Sequence, residues 1–69
     1  VNPHDIKTLS ECVMLLRQVK NKLTKKAKHV KDDRVVGYIG EIAALIENRA
    51  IRFEQSIEEM KKEQSHEST

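Results

Sequence analysis

Disulfides, stacked aromatics and membrane spans are all missing from this chain. Among its 69 residues there is one cysteine, Cys12, so no intramolecular disulfide can form. A lone thiol suits a reducing compartment, which makes an intracellular location, cytoplasmic or nuclear, the expectation. Tryptophan is absent, and one tyrosine and one phenylalanine leave little from which to build a base-stacking platform. One proline and two glycines give few helix breakers. No apolar run approaches the roughly 20 residues that cross a bilayer as a helix, and no signal peptide opens the chain. It begins at Val1 rather than at methionine, and is read as a piece excised from a longer intracellular protein. A chain this short buries little surface and usually needs a staple, a metal or an oligomeric partner.

What is present is charge and an aliphatic repeat. Asp, Glu, Lys and Arg make up 35% of the residues, and no strand signal accompanies them. The opening "NPHD" reads as a helix entry: Asn2 caps, Pro3 suits the first helical position, and Asp5 complements the helix dipole. Ile6, Leu9, Val13, Leu16, Leu23, Ala27 and Val30 then recur at alternating three- and four-residue steps, with Lys20 as the one interruption. A second seam runs through Val36, Ile39, Ala43, Ile46, Ala50, Phe53, Ile57 and Met60. Both are heptad seams, and they are out of phase, so the chain must break between them. Asp32 or Asp33 is the natural cap of the second helix.

Folding the chain back so that paired positions sum to 66 brings every seam position against another. Val30 meets Val36, Ala27 meets Ile39, Leu23 meets Ala43, Lys20 meets Ile46, Leu16 meets Ala50, Val13 meets Phe53, Leu9 meets Ile57 and Ile6 meets Met60. In three of these layers a small alanine faces a large aliphatic side chain, which is how adjacent helices interdigitate. The predicted fold is therefore all-α: an antiparallel two-helix hairpin, coiled-coil-like, that dimerises into a four-helix bundle. Its helices are predicted near residues 3–31 and 33–63, with a turn at about 31–35 and a disordered tail at 64–69. The strongest core candidates are Leu9, Val13, Leu16, Leu23, Ile39, Ile46, Phe53 and Ile57.

More apolar residues are present than one seam can hide. Cys12, Leu15 and Val19 form a flank on the first helix, and Val35, Ile42 and Leu45 form one on the second. Such a patch marks an interaction surface. Gly37 and Gly40 sit inside the second helical pattern, where each costs about 1 kcal/mol against alanine. They either break the helix or, with Ala43 and Ala44, admit another helix at close range. The predicted protein interface is Cys12, Leu15, Val19, Gly40, Ile42, Ala44 and Leu45.

Charge is segregated along the chain: residues 20–34 sum to +5 and residues 54–69 to −3, with the remainder neutral. In a hairpin the basic segment occupies the loop end and the acidic one the open end. Two hairpins packed head to tail would set unlike charges together. Lys22, Lys25, Lys26, Lys28, Lys31 and Arg34 also form a candidate patch for an anionic ligand, nucleic acid or lipid headgroups. They spread around the helix rather than lining one stripe, and no side chains suited to reading a groove are interleaved with them. Lys20 is expected to pack its stem in the seam while its ammonium reaches out to water, penalising slipped pairings.

No chemistry-bearing constellation emerges. His4, His29 and His66 lie far apart in sequence and do not converge with Cys12 on a metal site. No nucleophile, base and orienting group fall together. The expectation is a non-enzymatic protein-protein interaction module without cofactor or metal, most simply a homodimerisation domain. The alternatives are a monomeric module that docks an amphipathic helix of a different protein, and an anion binder using Lys20–Arg34.

Overall fold

The structure, a computed structural model, describes the backbone of residues 1–67 and the side chains of residues 1–64. Two helices, α1 (Pro3–Ala27) and α2 (Asp33–Glu67), pack against each other, with no strand among the described residues. The hairpin is 57 Å long, close to the roughly 52 Å that 35 helical residues span at 1.5 Å each.

Both helix starts follow from their capping residues. Asn2 has an extended backbone, and its Oδ1 accepts a 2.8 Å hydrogen bond from the His4 amide. Pro3 follows at the first helical position, where its missing N–H leaves no vacancy in the ladder. Asp32 repeats the device for α2, accepting from the Arg34 amide at 2.8 Å, while its carbonyl takes the Val36 amide at 3.1 Å. The helix thus begins at Asp33 under an Asp32 cap.

Helix α1 ends at Ala27, about four residues before the expected limit. The amides of Lys28, His29 and Val30 each reach back only three residues, to Lys25, Lys26 and Ala27. This tightening stops the α-helical ladder, and the turn occupies residues 28–32 rather than 31–35. A linker of that length lets the chain cross from one helix axis to the other. Of the expected Val30–Val36 layer, Val30 consequently falls in the turn, while Val36, in the first turn of α2, is 37% exposed. Helix α2 runs past residue 63 to Glu67. Of the tail expected to be disordered, residues 64–67 are helical, and Ser68 and Thr69 lie outside the described residues.

The core is narrow. Ile6, Val13, Ala50 and Ile57 are buried together, with Leu9 and Met60 packed against them, and Ala43 is buried nearer the turn. Leu16, Lys20, Leu23, Ala27, Ile39 and Ile46 are half-buried along the same seam. Ala50 is wholly inaccessible: a methyl group at this position lets the two backbones approach. Phe53 departs from the expected layer with Val13, being 40% exposed and absent from the core cluster. At about 100° per residue it lies 40–60° around α2 from Ala50 and Ile57. Those two occupy the centre of the contact, and the narrow gap set by Ala50 turns the ring to the edge. Helix α2 is continuous through Gly37 and Gly40. A Cβ added at either glycine would meet nothing within 4 Å, so neither serves close packing within this chain.

Candidate protein-interaction surface

Two different faces result from this packing. On one, Arg17 donates from Nη1 to Glu47 at 2.9 Å and from Nη2 to Glu54 at 2.5 Å. Lys20, the polar interruption of the seam, places Nζ 3.3 Å from the other oxygen of Glu47. Lys20 is thus engaged across the helix interface, with its side chain still 34% exposed. Hydrogen bonds from Lys20 and Arg17 hold the Glu47 carboxyl below the usual carboxylate range. Glu54 and Glu47 together raise Arg17 above its own usual value. These pairs, with a hydrogen bond from Gln64 to the Val1 carbonyl, have residue numbers summing to between 64 and 71. They bracket the 66 inferred from the seams.

Among the described residues the opposite face has no such clasp. Leu15 and Val19 each stand two residues from Arg17, hence about 160° around α1 from it. The same rule sets Ile42 and Leu45 about 140–160° from Glu47 on α2. All four side chains are open to solvent, Leu15 at 57%, Val19 at 47%, Ile42 at 48% and Leu45 at 59%. Cys12 is an exposed free thiol beside them, and Val35, Tyr38 and the displaced Phe53 extend the same stripe. The hairpin leaves the whole predicted flank uncovered.

Gly40 and Ala44 are exposed too, but the structure does not group them with the flank. They lie about 20° and 60° from Glu47, on the ion-paired side of α2. Sequence reading placed them in the flank because they are small and near it in number; the helical repeat separates them.

The candidate anionic patch is spread over the loop end. Lys22, Lys25, Lys26, Lys28, Lys31 and Arg34 are all exposed, and Arg34 approaches Asp32 at 3.9 Å. Lys25 and Lys26 occupy the last turn of α1, where cations complement the helix dipole. His4 opens α1 and His29 follows it, at opposite ends of that helix; the side chain of His66 lies outside the described residues. Among the described residues no group of three His, Cys, Asp or Glu is placed to hold a metal ion, and no helix is long and apolar enough to cross a membrane.

Sequence reading missed the Arg17–Glu47–Lys20–Glu54 network. Its signal was available in the register: pairing Lys20 with position 46 sets Glu47 one residue away, within reach of both Lys20 and Arg17. Comparison with family models, curated proteins and solved structures finds no match to this chain.

Proposed function

We propose that this chain is a non-enzymatic homodimerisation module, two hairpins associating through their open apolar faces into a four-helix bundle. One observation carries the reading: the stripe of Leu15, Val19, Ile42 and Leu45 stands uncovered along a hairpin whose own core is a few side chains wide. A continuous apolar patch on so small a chain favours association. The hairpin exposes 5758 Å², against roughly 4,450 Å² for a compact 8.0 kDa protein. The difference of about 1,300 Å² exceeds the roughly 800 Å² that each partner gives up in a standard interface.

The Lys cluster fits a solvated helix end, because Lys25 and Lys26 complete the charge pattern of α1 and the cluster offers no single stripe for a phosphate backbone. Sedimentation equilibrium across a concentration series tests the proposal. Twice the 8.0 kDa chain mass at micromolar concentration is expected. A chain that stays monomeric at high concentration would transfer the same face to a foreign amphipathic helix.

A further inference from the structure

A charge stands in the middle of the open stripe of α2. Arg49 lies within about 20° of Tyr38 and Ile42 around the helix, and about 40° from Val35, Leu45 and Phe53. All five of those side chains are exposed. One residue from the buried Ala50, Arg49 is about 100° from the line joining the helices, so it heads squarely out of the open face. The residue is exposed and takes part in none of the ion pairs among the described residues. Arg17, by contrast, is held by two carboxylates on the other face. Whatever covers Ile42, Leu45 and Phe53 therefore covers a cation with them.

A second copy has no carboxylate to offer it. Among residues 1–64, the acidic side chains on the open sides of the two helices are Asp5 and Glu63. A two-fold axis running along the helices sets α1 over α2 of the second copy at equal levels. With the register sum of 66, Arg49 is level with residue 17, so it meets Leu16 and Val19 of the second copy. Asp5 is then about 18 Å away along the axis. A two-fold across the helices sets α1 over α1 and α2 over α2. The shift that brings Asp5 or Glu63 of the second copy to Arg49 then slides Ile42 and Leu45 beyond residue 64 of the other α2. We propose that Arg49 is the specificity-determining residue of the open face, a guanidinium that the second copy covers without pairing. This rests on the homodimer reading and names the residue that limits it. Stripping water from an unpaired charge is costly, and only part of that is relieved when the long side chain reaches toward the rim. Self-association is thereby held below what the apolar stripe alone would give, and a surface without a carboxylate at this point is disfavoured.

Sedimentation equilibrium of Arg49→Leu beside the wild-type chain tests this, with circular dichroism to verify that both keep their helices. The variant should dimerise roughly tenfold to a hundredfold more tightly. Arg49→Gln, which removes the charge and stays polar, should fall between the two. Lys62→Leu removes the same charge from the other side of α2 and should leave the affinity unchanged. A wild-type monomer whose Arg49→Leu variant dimerises upholds the role of Arg49 while overturning the homodimer reading of the natural chain. A wild-type dimer that Arg49→Leu leaves unchanged or weakens overturns the role of Arg49 while the homodimer stands. Chains that both remain monomeric at high concentration overturn both. A gain from Lys62→Leu equal to that from Arg49→Leu also overturns the proposal, since added apolar surface anywhere would then suffice.

Discussion

One long face of the hairpin is fastened by Arg17, Lys20, Glu47 and Glu54, whereas the other presents Leu15, Val19, Ile42 and Leu45 with nothing across them. Half-exposed ion pairs contribute little stability each, but they have direction. Glu47 can receive both Arg17 and Lys20 only when the helices sit in one register. Apolar area has no direction but a larger driving force, about 25 cal/mol for each Å² covered. In this molecule the first face selects the alignment of two helices, and the second is the face through which the proposed dimer would form.

The largest expected effect comes from charging the open face. Leu15→Glu with Leu45→Glu removes four leucines from the proposed dimer interface, each worth about 1.5–3 kcal/mol when covered. The dimer dissociation constant should rise by roughly a thousandfold or more, read by sedimentation. Met14 is 61% exposed but lies on the side of Arg17, so Met14→Glu should leave the dimer intact. Equal effects from the two faces would erase the distinction between them.

A smaller difference is expected inside the hairpin. Ile57 is 5% exposed and Phe53 40%, so Ile57→Ala should cost about 2–5 kcal/mol in urea unfolding and Phe53→Ala distinctly less. A larger loss at Phe53 would mean that the second copy covers the ring, extending the open face's contact toward the hairpin's open end.

The smallest effect belongs to the ion-paired face and is best seen through pH. Glu47 has a lowered folded pKa because Lys20 and Arg17 donate hydrogen bonds to its charged form. Its contribution is therefore complete above the unfolded carboxyl value of about 4.3, and it is lost as pH falls through the lower folded value. Glu47→Gln should lower the melting temperature slightly at neutral pH and bring mutant and wild type together in strong acid. A gap between them that widens below pH of about 4 would contradict the assigned hydrogen bonds.

Much of this architecture was legible from residue spacing. Asn2, Pro3 and Asp32 announce the helix starts because capping is local chemistry, satisfied within two or three residues. The two aliphatic seams identified both helices and their antiparallel pairing, since a heptad repeat records which side of a helix is shielded. The surplus apolar residues Cys12, Leu15, Val19, Ile42 and Leu45 were also legible as a flank, because they exceed what one seam can cover. The end of α1 was not. Val30 continues the repeat, yet the chain needs residues 28–32 to cross between helix axes, and periodicity carries no information about that distance.

Three matters were settled only when the helices packed. Phe53 belongs to the seam by number, but Ala50 and Ile57 take the centre of the contact and turn it to the edge. Gly40 and Ala44 resemble a close-packing motif in one dimension, and the helical rotation puts them on the ion-paired side. Lys20 reads as a polar break in an apolar series, and Glu47 makes it a cross-helix clasp. By itself the sequence determined the helices, their pairing and the excess of apolar surface, because each is written in local spacing. The tertiary structure decided which side chains occupy the centre, which face is clasped and which stays open, because those depend on the angle at which one helix meets another.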